Sequence, residues 1–284
     1  MKNKSDLMGF FDRMFSRKVV IVGVVGALFF LILAVFAPLI ATHDPSEMDM
    51  MNKLQGVSGD HILGTDKYGR DMFSRIVYGA RVSLIIGVLS VIISAAIGTF
   101  FGMLAAYQGG IIDAVLMRFC DAFRAIPQIA LSMALIAIYG SSLWSMALII
   151  GITSMPGYIR MMRASTLSVT SSDYVLSARL SGESTLKIMY KHIFPNCISP
   201  IIIMATQQIG ASILMEAGLS FLGIGIKIPT ASWGSMVNEA RPYLITNPLY
   251  VMGPCLCIVL LVISFNLLGD GIRDALDPTL RGSK

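Results

Sequence analysis

The chain has 284 residues, of which 55% are hydrophobic and only 14% are charged. A soluble domain carries about a quarter charged residues, so this composition excludes an ordinary soluble protein and indicates a membrane protein. The formal net charge is +5, but the Lys and Arg residues lie in short clusters between apolar runs. Without a basic stripe interleaved with aromatic residues, nucleic acid is not a predicted partner.

Six apolar runs have the character of membrane spans, since a helix needs about 20 mostly apolar residues to cross a bilayer. The first, at residues 19–41, follows a basic tail and is longer than a signal-peptide core, so we predict an uncleaved anchor. The other five are predicted at residues 82–106, 115–138, 143–159, 198–222 and 250–268. The sequence therefore predicts an all-α polytopic membrane protein with six transmembrane helices.

Charge divides the third predicted span into two halves. Arg118, Asp121 and Arg124 crowd the first half, and an apolar stretch follows from Pro127. Charged side chains near a helix end reach the membrane–water interface, so we predict an interfacial first half whose charges contact water.

Small residues recur at every fourth position of the second predicted span. They are Ser90, Ser94, Gly98, Gly102 and Ala106. Such a stripe allows a neighbouring backbone to approach closely, so we predict that this helix lies inside a bundle. The alternative is the ordinary enrichment of Gly and Ala in membrane helices.

The distribution of Lys and Arg indicates a cytoplasmic N-terminus, because fifteen of the 22 then lie on the cytoplasmic side. This orientation makes residues 1–18 and 269–284 cytoplasmic tails and residues 42–81 an external loop. Residues 82–268 form a five-helix core that includes a cytoplasmic loop at residues 171–195.

That cytoplasmic loop has the signals of two short helices joined by a turn. Ser172 or Asp173 can cap the first helix, which Gly182 ends, and Ser184 can cap a second one, which Pro195 stops. The second helix is amphipathic, with apolar residues at Leu186, Met189, Tyr190 and Ile193. Its periodicity fits lipid headgroups and a protein groove equally well.

Catalytic and metal-binding patterns are absent from the sequence. His43, His61 and His192 lie far apart, so we predict no metal site and no enzymatic role. The chain also lacks a G-x-x-x-x-G-K-[ST] phosphate-binding loop. Any coupling to ATP must therefore come from a partner.

Polar residues at membrane depth are candidates for function. Glu216 follows Gln207 and Gln208 on the fifth predicted span, and the three could line a translocation path. The alternative, which we favour for Glu216, is an interfacial carboxylate that bonds backbone groups of the nearby external segment.

The cytoplasmic loop resembles the coupling motif of binding-protein-dependent ABC importer permeases. Leu176, Ser177 and Ala178 occupy its E-A-A positions, Gly182 matches its glycine and Pro195 its end. Leu176 replaces the usual acidic residue, and Ser177 replaces an alanine. Further segments resemble the dipeptide, oligopeptide and nickel permease family, at residues 61–66, 69–71, 74–75, 78–81, 216–225, 232–234, 266–271 and 273–278.

The resemblance implies the type I ABC importer permease fold and a C-type subunit in a bacterial or archaeal cytoplasmic membrane. The expected partners are a B-type permease, two ABC ATPase subunits that use ATP and Mg, and a solute-binding protein, while this chain binds no cofactor. The expected ATPase-coupling residues are Leu176, Ser177, Ala178, Gly182, Leu186, Met189, Tyr190 and Pro195.

The resemblance leaves some assignments open. Asp66, Arg70 and Asp71 either dock the solute-binding protein or, as we favour, form turn and helix-cap structure. The expected cargo is a peptide or related small solute, with nickel or a metal chelate as the alternative. An ATP-independent secondary transporter and a non-transporting scaffold are the rival classes.

Overall fold

The structure is a computed structural model that describes residues 14–15 and 17–276. Helices account for most of these residues, and the described part of the chain holds no β-strand. Most of residues 1–18 and part of residues 269–284, including Pro278 of the last family segment, lie outside it. The helices are α1 Lys18–Val35, α2 Ala37–Ile40, α3 Met72–Gln108, α4 Gly110–Ala125, α5 Gln128–Tyr139, α6 Leu143–Thr170, α7 Asp173–Leu180, α8 Thr185–Ile188, α9 Phe194–Phe221, α10 Trp233–Ala240 and α11 Pro248–Leu276.

Length and composition identify four helical segments able to cross a membrane: Lys18–Val35, Met72–Gln108, Thr185–Phe221 and Pro248–Leu276. The bent pair α4 and α5 makes a fifth if it is one span. Helix α6 lies where the sequence predicts the fourth span, but Arg160, Arg163 and several hydroxyl residues lower its hydropathy. The all-α membrane fold is confirmed, and a count of six spans stays a prediction.

Helix α3 begins well before the predicted start at residue 82. Asp71 is its N-cap, and the Asp71 carboxylate accepts a hydrogen bond from the Ser74 backbone N–H at 2.7 Å. The cap starts the helix at Met72, so α3 is longer than the predicted span, while the end of the external loop at residue 81 stays a prediction. The first span also ends earlier than predicted, since Pro38 lies in the separate helix α2.

The third predicted span is broken where the sequence places Pro127. Helices α4 and α5 meet there at 89°. Arg118, Asp121 and Arg124 are all exposed on α4, as predicted for its charged half. Arg163 of α6 binds Asp113 near the start of α4 through two hydrogen bonds of 2.5 and 2.6 Å.

The small-residue stripe of α3 packs against α6. Ser90, Ser94, Gly98 and Gly102 are all buried. A Cβ atom added at Gly98 would overlap the Tyr158 side chain, and one at Gly102 would lie 2.7 Å from the Cβ of Met162. The predicted interior position of this helix is confirmed, because only small residues permit this approach.

The loop at residues 171–195 leads directly into the fifth predicted span. Helix α8 passes through a π-helical turn, Met189–Ile193, into α9 without a break. The prediction that Pro195 stops the second short helix is wrong. Pro195 lies in the first turn of α9, where a missing backbone N–H is tolerated.

Candidate functional site

Residues 173–193, which we name the coupling element, have a buried inner face and an exposed outer face. The inner face packs in a core cluster against Tyr158 and Met162 of α6. Its buried residues are Val175, Ala178, Ile188, Met189 and Ile193. The guanidinium carbon of Arg179 lies 4.8 Å from the ring centre of Tyr107, near the end of α3. The element is thus anchored to two helices of the bundle.

The outer face of the coupling element is apolar and open. Its large exposed side chains are Tyr174, Leu176, Leu180, Leu186 and Tyr190. Leu180 is 88% exposed. Exposed apolar patches mark surfaces that bind another protein or a membrane.

Gly182 sets the angle between α7 and α8. Its φ is +73°, in the left-handed region that favours glycine. Its N–H donates to the Arg179 carbonyl at 3.1 Å, and the Glu183 N–H donates to the Ala178 carbonyl at 3.2 Å. A Cβ atom at Gly182 would meet nothing within 4 Å. Within the described chain, the glycine is therefore needed for backbone conformation and not for close packing.

Glu183 holds the turn against α8. Its carboxylate lies 2.8 Å from Lys187 Nζ, 2.8 Å from His192 Nε2 and 3.9 Å from Lys191 Nζ. Hydrogen bonds from Lys187 and His192 lower the pKa of this carboxyl below its ordinary value. The Glu183 carboxylate therefore links the end of the turn to α8 and to the π-helical turn that follows it.

The predicted coupling residues divide between the two faces. Leu176, Ser177, Leu186 and Tyr190 are exposed, as is Pro195 beyond the element. Met189 is fully buried within the chain's own core, so its predicted contact with a partner groove is wrong. The helical period alone could not separate Met189 from Tyr190, because the π-turn shifts the register of the faces. Sequence reasoning missed Leu180, although it follows Leu176 by one helical turn.

A polar cavity of about 400 Å³ opens between α5, α6 and α9. The Gln128 amide donates to Ser154 Oγ at 2.9 Å and to Thr153 Oγ1 at 3.3 Å. The Gln208 amide donates to the same Ser154 hydroxyl at 3.5 Å. Gln128, Thr153 and Ser154 were not predicted, because single polar residues in separate spans give no sequence pattern.

The three predicted path residues do not share a site. Gln208 lines the polar cavity, but the Gln207 amide points toward Asp270, at 3.5 Å from its Oδ1. Glu216 is fully buried and accepts a hydrogen bond of 2.7 Å from the Ser220 hydroxyl. The prediction that Glu216 lines a path is wrong for this conformation. The favoured alternative expected Glu216 to bond backbone groups of the segment after α9, but this hydrogen bond comes from the Ser220 side chain.

Buried charges form a core where the loop before α3 meets α10. Arg70 Nε lies 2.5 Å from Asp66 Oδ2, and Arg70 Nη2 lies 2.6 Å from Glu239 Oε2. Arg75 lies 3.4 Å from Asp66 and 3.6 Å from Glu239. The Arg70 and Asp66 side chains are fully buried. Glu239 was missed because it is 169 positions away from Arg70.

Asp71 is buried beside this network. The predicted docking role is wrong for Asp66, Arg70 and Asp71, because none presents its side chain to an external partner. Burial alone would raise the pKa of the Asp71 carboxyl, but hydrogen bonds from Ser74 and His61 lower it below its ordinary value. The favoured alternative of turn and cap structure agrees with the geometry.

Comparison with known proteins identifies the family. Residues 98–282 match the family described as binding-protein-dependent transport system inner membrane component, and residues 7–56 match the N-terminal TM domain of oligopeptide transport permease C. The chain belongs to this permease family. The permease is therefore a transmembrane subunit of an ABC importer, as the sequence resemblance implied.

Curated relatives of the permease cover nearly its whole length. It is 39% identical to the dipeptide transport system permease DppC of Alkalihalophilus pseudofirmus, over 95% of this chain and 89% of that protein. It is 41% identical to the di/tripeptide permease DppC of Pseudomonas aeruginosa, over 92% and 89%. It is 42% identical to the glutathione permease GsiD of Escherichia coli, over 89% and 84%.

Solved structures agree on the fold. The permease is similar to a chain of the inward-facing MetNI methionine ABC transporter, with a TM-score of 0.58 and 21% identity, over 72% of this chain and 98% of that one. An amino acid ABC transporter matches with a TM-score of 0.53 and 15% identity, over 70% and 92%. The type I importer permease fold is confirmed.

Proposed function

We propose that the permease imports small peptides as one half of a transmembrane path. A second, B-type permease would form the other half, two ABC ATPases would supply ATP hydrolysis with Mg, and a solute-binding protein would deliver the cargo. The peptide cargo is supported by relatives whose names specify dipeptides, di/tripeptides and glutathione. On this proposal the permease binds no nucleotide itself, and both termini are cytoplasmic.

The two-faced coupling element carries the proposal. Its apolar outer face, with Leu176, Leu180, Leu186 and Tyr190 exposed, suits a groove on an ATPase. Its inner face packs against α6 and reaches Tyr107 through Arg179. Because packed cores resist continuous deformation, a displacement of the element would move these helices with it.

The polar cavity is the proposed part of the path in this chain. Gln128, Ser154 and Gln208 offer neutral amide and hydroxyl groups around about 400 Å³. Such groups both donate and accept hydrogen bonds, as a peptide backbone requires, whatever side chains the peptide carries. Arg124 also lines the cavity and adds one fixed positive charge, which suits the carboxylate end of a peptide.

The proposed coupling surface is tested with Leu180→Asp in the assembled importer. Leu180 is 88% exposed, so the substitution should leave folding intact. A carboxylate desolvated at an ATPase interface should reduce capture of the ATPase subunits by about tenfold or more. The matched control is Met51→Asp, at a side chain 93% exposed on the external loop. Wild-type ATPase capture by Leu180→Asp would contradict the assignment.

Cargo and energy source are tested together in liposomes that contain the complete importer and its solute-binding protein. We expect labelled dipeptide uptake only with ATP, and competition by unlabelled peptides but not by Ni²⁺. Competition by Ni²⁺ or a chelate alone would favour the metal alternative. Uptake that follows an ion gradient without ATP would favour a secondary transporter.

A further inference from the structure

Two histidines converge on one carboxylate at the external end of the permease. His61 Nδ1 lies 2.9 Å from Asp71 Oδ1, and His43 Nδ1 lies 4.0 Å from the same oxygen. The two imidazole rings are 4.7 Å apart between centroids. The sequence analysis excluded a metal site because its histidines are far apart along the chain, but folding brings these two together.

The three side chains can supply a metal ion with one ligand atom each. Those atoms all lie within 4.8 Å of one another. Ligands around a tetrahedral zinc ion lie about 2.0–2.2 Å from the metal and hence about 3.3 Å apart. To reach that spacing, the His43 ring must approach Asp71 from 4.0 Å and the His61–Asp71 pair must open slightly from 2.9 Å. The His43 side chain is 36% exposed. Coordination replaces two hydrogen bonds, that of His43 Nδ1 with the Thr42 hydroxyl at 3.0 Å and that of His61 Nδ1 with Asp71 Oδ1 at 2.9 Å.

The surroundings favour a cation. The cluster borders a cavity of about 260 Å³ that is lined by further carboxylates, and no Lys or Arg is among its described lining residues. The carboxylates belong to Asp44, Glu47, Asp49 and Asp60. The concentrated negative charge attracts cations, and the cavity has room for water at the remaining coordination positions.

Asp71 is also held in position for coordination. Its Oδ2 accepts the capping hydrogen bond from the Ser74 N–H at 2.7 Å, which leaves Oδ1 directed toward the two rings. Carboxylates fixed by such bonds are typical of metal ligands. The Asp71 cap needs only the Ser74 N–H, so it does not account for the two imidazole rings or for the acidic cavity.

We propose that His43, His61 and Asp71 bind a divalent transition-metal ion on the external side of the permease. Two imidazole nitrogens and one carboxylate suit Zn²⁺ and its neighbours, whereas Ca²⁺ and Mg²⁺ require oxygen ligands. The ion joins the segment after α2 and the external loop to the N-cap of α3. The bound ion stabilises the start of α3.

The test measures Zn²⁺ binding to the complete importer, purified without an affinity tag and treated with a chelator. Equilibrium dialysis and elemental analysis should find one more Zn²⁺ ion per complex in the wild type than in His43→Ala. His43→Ala leaves the Asp71 cap intact, so the variant should remain assembled. His192→Ala is the matched control, because that histidine lies beside Glu183 on the coupling element.

A second variant separates coordination from folding. Asp71→Asn keeps a side chain able to cap a helix but removes the charged ligand, so Zn²⁺ affinity should fall at least tenfold in an assembled complex. Co²⁺ should give visible absorption bands of a nitrogen and oxygen site in the wild type, and these should be lost in His43→Ala. Equal Zn²⁺ content and equal Co²⁺ spectra in wild type and His43→Ala would overturn the proposal.

Discussion

The two ends of the permease use charged and apolar side chains in opposite ways. Where the loop before α3 meets α10, Arg70, Arg75 and Asp66 are buried in an ion network. At the coupling element, Leu180 and Leu186 are exposed, while their buried neighbours hold the element to the bundle. From residue type alone, one would expect the charged region to bind a partner and the apolar coupling element to be buried. Exposure in the fold, and not residue type, decides which surface is available to a partner.

The largest loss of stability is expected from a substitution in the Arg70 ion network. Arg70→Ala removes the guanidinium that joins Asp66 and Glu239, and leaves two carboxylates without their closest cation. Breaking a buried pair in this way costs about 3–5 kcal/mol of stability. We expect a marked fall in the thermal unfolding temperature of the purified complex. Lys53→Ala, an exposed cation on the same loop, is the control and should change stability by less than about 0.5 kcal/mol.

A pair of substitutions in the coupling element tests its two faces. Met189→Ala opens a cavity in the core and should lower stability by about 2–5 kcal/mol. Leu186→Ala removes a side chain that is 57% exposed, so stability should be nearly unchanged while ATPase capture falls. Thermal unfolding and ATPase co-purification measure the two effects. The same loss of stability in both variants would contradict the division into inner and outer faces.

A smaller effect is expected at the turn. Gly182→Ala should cost about 1–2 kcal/mol, because an L-residue is strained at φ +73°. Gly182→Arg should cost the same in the isolated chain, since no atom lies within 4 Å of an added Cβ. If the turn contacts an ATPase, ATP-driven uptake will be much lower in the Gly182→Arg variant than in the Gly182→Ala variant. Equal uptake in the two variants would show that Gly182 serves the backbone conformation of the turn and not a contact with an ATPase.

Much of the fold could be predicted because its signals are local. The stripe through Gly98 and Gly102 predicted an interior helix, and Arg118, Asp121 and Arg124 predicted a charged first half of the third span. The 89° break between α4 and α5 was not predicted. The site was less accessible to prediction. Met189 and Tyr190 are adjacent and both apolar, yet one is fully buried and the other is 54% exposed. Their environments depend on a π-turn for which no sequence signal was found.

By itself, the sequence determined the membrane class, the approximate helix positions and the resemblance to importer permeases. These follow from apolar length and from motifs of neighbouring residues. Only the tertiary structure decided that Glu239 completes the Arg70 network and that His43 meets His61 at Asp71. The physical reason is that burial and coordination depend on groups brought together by packing, and spacing along the chain does not record which groups those are.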